Sequence, residues 1–126
     1  MMHEREMTTI ANEPRERLPT ILMTGFAPFG GEAVNPSWQA VQLMAERWDG
    51  PEPLAIVELP VVFGESADVL QTTMRRVRPD LVIAVGQAGG RAQVTPERVA
   101  INVDDARIPD NAGNQPIDEA IDPYGP

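Results

Sequence analysis

Leu81-Val82-Ile83-Ala84-Val85-Gly86 is a nearly continuous apolar run. Strands that read this way are covered on both faces, as parallel strands in α/β proteins are, whereas a sheet with one wet face alternates apolar and polar residues. The residues before the run support a parallel arrangement. Phe63, Ala67, Leu70, Met74 and Val77 recur at helical spacing, with Glu65 and Asp68 near the start and Arg75, Arg76 and Arg78 near the end, as the helix dipole favours. Pro79 stops this helix, and Asp80 leads into the strand.

The same alternation continues toward the amino terminus. Leu54 to Val62 is rich in branched apolar residues and reads as a strand weakened at its far end by Pro60. Gly50-Pro51-Glu52-Pro53 separates it from an amphipathic helix in which Trp38, Val41, Ala45 and Trp48 share a face. Asn35-Pro36-Ser37 supplies that helix with a cap and a proline suited to the first turn. Ile21-Leu22-Met23-Thr24-Gly25 reads as a buried strand feeding a tight loop. Val99 to Val103 is a further short strand candidate, and from Asp104 onward the sequence is polar, proline-rich and without period. Strands alternating with helices of this length predict an α/β sheet with helices on both faces. In such sheets functional residues gather beyond the carboxyl ends of the strands. Three loops qualify: Phe26 to Pro36, Gln87 to Arg98 and Asp104 to Pro126.

The chain has 126 residues, enough for one domain with a real core. Its formal charge of -9 repels phosphate backbones and anionic lipid, so neither nucleic acid nor a membrane is an expected partner. Without cysteine there is no disulfide, thiolate metal site or thiol nucleophile in these residues. Residues 1–19 are charged and lack an apolar run long enough for a signal peptide, so a flexible extension on a cytoplasmic protein is expected.

Three motifs invite simple chemical readings. Gly25-Phe26-Ala27-Pro28-Phe29-Gly30-Gly31-Glu32 has the glycine spacing of a phosphate loop, but glycine stands in the lysine place and glutamate in the hydroxyl place. Its two phenylalanines either cap the core or line an apolar pocket. Gly86-Gln87-Ala88-Gly89-Gly90 lacks the dinucleotide spacing and is either a plain turn or a place where backbone approaches a ligand. The carboxylates of Asp104, Asp105, Asp110, Asp118, Glu119 and Asp122 lack the alternation of a calcium loop and read as a solvated acidic loop. His3 is the single histidine and has no partner nearby in sequence, so an idle, solvent-exposed side chain is expected and no metal site is implied.

Together these loops resemble the pyroglutamyl peptidase I family, over about Ile21 to Pro123. Gly25 to Gly31 followed by Asn35-Pro36-Ser37-Trp38 is similar to the family's opening motif, and Asp104-Asp105-Ala106-Arg107-Ile108-Pro109-Asp110-Asn111 to a later one. Gly86 and Gly89, then Val94-Thr95-Pro96-Glu97-Arg98-Val99-Ala100 and Asn102, fit its glutamate active-site signature.

The resemblance implies an open three-layer α/β/α sandwich over residues 20–126, with the carboxyl-terminal part of that fold missing. It implies removal of an amino-terminal pyroglutamyl residue from peptides, without a cofactor. Glu97 is then the catalytic acid that orients a histidine and stabilises its cationic form. Phe26 and Phe29 flank the pyrrolidone ring, the Gln87 backbone meets the lactam amide, Ile108 completes the apolar wall, and Asn35 and Arg107 brace the site. The family's cysteine nucleophile and its histidine are not among these residues, so negligible turnover is expected of this chain alone. A non-catalytic binder of pyroglutamyl peptides and one half of a split enzyme are the alternatives. Uncovered apolar faces would favour association, which leaves a homo-oligomer open.

Overall fold

Strand β1 (Ile21–Phe26), helix α1 (Pro36–Arg47), strand β2 (Leu54–Leu59), helix α2 (Glu65–Val77) and strand β3 (Leu81–Ala84) follow one another along the chain. They are seen in a computed structural model that describes residues 17–126. Residues 1–16, most of the expected extension and His3 with them, lie outside the described residues.

The three strands form one parallel sheet in the order β2-β1-β3. Ile21 lies beside Leu54 on one side and Leu81 on the other. The chain therefore moves outward from β1 to β2, then returns past β1 to reach β3. Right-handed crossovers, the rule for parallel strands, set α1 and α2 on opposite faces in this order. Reversal of direction between β1 and β3 creates a switch point at the carboxyl ends of those two strands.

Local chemistry accounts for the element ends. Asn35 caps α1, its Oδ1 accepting the Ser37 N–H at 3.0 Å, and Pro36 occupies the first turn. Past the other end, the Trp48 indole donates to the Glu52 carbonyl at 2.8 Å and closes the turn into β2. β2 stops at Leu59, before Pro60, which has no N–H for the ladder. Arg78 ends α2 in the left-handed region at φ 51°, its N–H donating to the Met74 carbonyl. Close packing also needs one glycine: a Cβ on Gly25 would lie 2.7 Å from the Trp38 Cα, so β1 and α1 can approach this closely only without it.

Among the described residues the buried apolar core is formed by Leu22, Val41 and Leu59, one each from β1, α1 and β2. Three sequence expectations are corrected. Val99–Val103 is not a strand, and Val99 and Ile101 are exposed. Branched composition alone does not make a strand: among the described residues Val99 to Val103 joins neither edge of the sheet, although the outer edges of β2 and β3 are both open. β3 itself is not covered on both faces, since Leu81 and Ile83 are 50% and 40% exposed. Finally, α2 buries Thr73 and half-buries Val69, Leu70 and Val77, whereas Ala67 and Met74 face out. The buried stripe is rotated from the expected one because α2 packs on β2, and no other strand makes comparable contact with it.

At the start of the described residues the Arg17 guanidinium donates to both oxygens of Asp80 at 2.7 Å, and the Thr20 N–H donates to Asp80 at 2.8 Å. The Arg17 hydrogen bonds, then the one from Thr20, lower the Asp80 pKa from 3.8 to about 2. A folded value below the unfolded one means this stabilisation is present above 3.8 and is lost as pH falls through about 2. Asp80→Asn should therefore melt below the wild-type chain near neutral pH, with the gap closing across that acidic window. A gap independent of pH would contradict the assignment.

Candidate functional site

Both loops at the switch point leave the sheet at the same end. The first follows β1 and is tied down at each of its ends. Phe26 donates its N–H to the Ser37 Oγ at 2.9 Å, and Ala27 donates to the Leu59 carbonyl at 2.9 Å. Asn35 is only 3% exposed and spans the loop: its Nδ2 donates to the Ala27 carbonyl at 3.0 Å, while its Oδ1 accepts from both the Ser37 N–H and the Ser37 hydroxyl. Between these anchors the Glu32 N–H donates to the Phe29 carbonyl, with Gly30 and Gly31 at φ 64° and 79°. Those positive φ values are why glycines occupy the turn. Phe26 and Phe29 are half-buried, neither sealed in a core nor fully in water.

The second loop follows β3. Val85 extends the ladder by one bond, its N–H donating to the Thr24 carbonyl at 2.9 Å, and Gln87 then emerges exposed. Glu97 lies farther along the same segment, its carboxylate exposed and accepting from Arg91 at 3.3 Å. Among the described residues no hydrogen bond links Glu97 to Phe26, Phe29 or Asn35. Arg107 and Ile108 are exposed on the segment after Asp104. The structure thus gathers Phe26, Phe29 and Asn35 in one braced loop and brings Gln87 to the same sheet end. Glu97, Arg107 and Ile108 stand on exposed chain.

The segment after Asp104 is better organised than a solvated acidic loop. Asp104 and Glu119 exchange backbone hydrogen bonds at 2.7 and 3.0 Å, and the Asp118 N–H donates to Asp105. Asp110 accepts from the backbone N–H groups of Phe63, Ala112 and Asn114 and from the Asn114 side chain. Desolvation pushes its carboxyl up, but the hydrogen bonds from Phe63, Asn114 and Ala112 outweigh that and hold the pKa below the ordinary carboxylate value. Asn111 donates its backbone N–H to the Val61 carbonyl and its Nδ2 to the Pro28 carbonyl, both at 2.9 Å. Ser37 and the Asp110–Asn114 turn are the site elements that the sequence reading missed. Asp110 three residues before Gly113, whose φ is 83°, was the available signal of a side-chain-stabilised turn.

A polar cleft of about 380 Å³ lies between the start of α2 at Phe63 and Gly64 and the segment carrying Asp104, Asn114 and Glu119. Asn114 of the Asp110 turn lines it, but none of the site residues expected from the sequence does. Among the described residues no group of three or more metal-ligating side chains occurs, and no helix is long and apolar enough to cross a membrane.

These features define a parallel α/β protein with Phe26, Phe29, Asn35 and Gln87 on the two loops at a switch point. The family model described as pyroglutamyl peptidase matches residues 19–126, and the chain belongs to that family. It is 64% identical over 106 residues to a pyrrolidone-carboxylate peptidase of Streptomyces coelicolor, covering 84% of this chain and 49% of that protein. A crystal structure of Bacillus amyloliquefaciens pyroglutamyl peptidase I superposes with a TM-score of 0.80 at 54% identity, over 86% of this chain and 52% of that one. A mutant pyrrolidone carboxyl peptidase from Pyrococcus furiosus does so with a TM-score of 0.80 at 43% identity, over 85% and 51%. The chain therefore has the α/β/α fold of these enzymes and spans about half the length of the curated relatives it matches.

Proposed function

We propose that this chain forms the ring-recognition part of a site that removes amino-terminal pyroglutamyl residues from peptides, and that by itself it binds such termini without cleaving them. The observation that carries the reading is the placement of the Phe26–Phe29 loop and the Gln87 loop at one end of adjacent strands. A pyroglutamyl terminus is a neutral lactam with apolar ring faces and one amide edge. Phe26 and Phe29 offer apolar surface to the ring, and the backbone at Gln87 offers an N–H and a carbonyl to the amide edge. A free amino terminus is an ammonium, which would lose hydration against these aromatics and find no carboxylate within their loop before Glu32. Neutral, ring-closed termini are therefore the substrate class.

Cleavage needs a nucleophile and a group to move protons. The chain has no cysteine, and His3 precedes the first strand. Glu97 would orient an imidazole and stabilise its charged form, a role that requires a histidine from beyond these residues. Fluorophore release from a pyroglutamyl amide of aminomethylcoumarin tests the reading. Release indistinguishable from buffer is expected. Release that co-elutes with the chain and survives thiol alkylation would overturn it.

A further inference from the structure

The Phe26–Phe29 loop is held from a third direction, by chain far away in sequence. Pro28 lies between the two phenylalanines, and its carbonyl accepts from the Asn111 Nδ2 at 2.9 Å across 83 positions of sequence. Asn111 is itself fixed, because its backbone N–H donates to the Val61 carbonyl at 2.9 Å. The neighbouring Asp110 accepts from Phe63 at 2.8 Å and from Ala112 and Asn114, so the turn is locked onto the chain entering α2. A proline carbonyl in a loop without regular structure has no ladder partner. The Asn111 amide supplies one and thereby sets the height of the loop above the sheet.

We propose that Asn111, held by the Asp110 turn, is a positioning residue for the Phe26–Phe29 loop. The inference rests on the ring-recognition reading for its functional meaning, while the tether itself is independent of any ligand. Asn35 fixes the roots of the loop, and Asn111 fixes its middle.

Hydrogen exchange of the full chain tests this, comparing wild type with Asn111→Ala and with Asn114→Ala, which removes a side-chain hydrogen bond of the same turn without touching Pro28. In Asn111→Ala the Glu32 amide should exchange about tenfold faster, as expected when one hydrogen bond of ordinary net strength no longer opposes local opening. Amides of β1 should be unchanged, and Asn114→Ala should leave Glu32 near its wild-type rate. Affinity for pyroglutamyl-alanine should fall severalfold in Asn111→Ala alone. Unchanged exchange at Glu32, equal acceleration in both variants, or uniform acceleration throughout the chain would each overturn the proposal. If the wild-type chain shows no affinity for the peptide, the ring-recognition reading fails, and the exchange rates still decide whether Asn111 holds the loop.

Discussion

Asn35→Ala is expected to lower the stability of the chain by about 2 to 4 kcal/mol, combining loss of a helix cap with buried groups left unpaired. The side chain is 3% exposed and makes three hydrogen bonds. Losing the cap costs about 1 kcal/mol. The half-buried Ala27 carbonyl then loses its donor and the buried Ser37 hydroxyl its acceptor, at about 1 to 3 kcal/mol more. Asn35→Ser keeps a capping oxygen but cannot reach Ala27, so it should recover only the first part. Urea denaturation of the three proteins measures both differences. A loss of about 0.5 kcal/mol or less, typical of an exposed position, would contradict the bracing role.

Phe29→Ala is expected to weaken binding of pyroglutamyl-alanine by about 10- to 100-fold, the equivalent of burying one aromatic side chain against the ligand. Phe29 is half-buried, and the turn beneath it is set by Gly30 and Gly31 and by the Glu32 to Phe29 hydrogen bond, so truncation should remove the wall and leave the backbone path intact. Stability should change little in comparison with Asn35→Ala. Calorimetric titration of both proteins, alongside their denaturation curves, separates loss of the pocket from loss of the fold. Equal affinity in the variant would make Phe29 a cap on the core.

The legible parts of the fold were those with local causes. Asn35-Pro36 announced α1, Pro60 shortened β2 and Pro79 followed α2, because caps and missing N–H groups act within a few residues. The failures required knowledge of neighbours. Val99–Val103 has the composition of a strand but pairs with no edge of the sheet, and the buried stripe of α2 was fixed by contact with β2 rather than by its own pattern. The site divides in the same way. Glycines and aromatics after β1 were readable as a loop beyond a strand end, and resemblance supplied what that loop would hold. The hydrogen bonds that Phe63 donates to Asp110 and Asn111 donates to Pro28 join positions 47 and 83 apart, a separation that no periodicity records.

In the reading proposed above, these residues carry a pocket selective for a neutral lactam terminus. Its most direct test is a titration of the isotope-labelled chain with pyroglutamyl-alanine and, in parallel, with prolyl-alanine, which has the same ring size and a charged amine. Saturable shifts at the amides of Phe26, Phe29 and Gln87 with the first peptide and none with the second are predicted. Shifts of equal size with both peptides, or none with either, would contradict the claim.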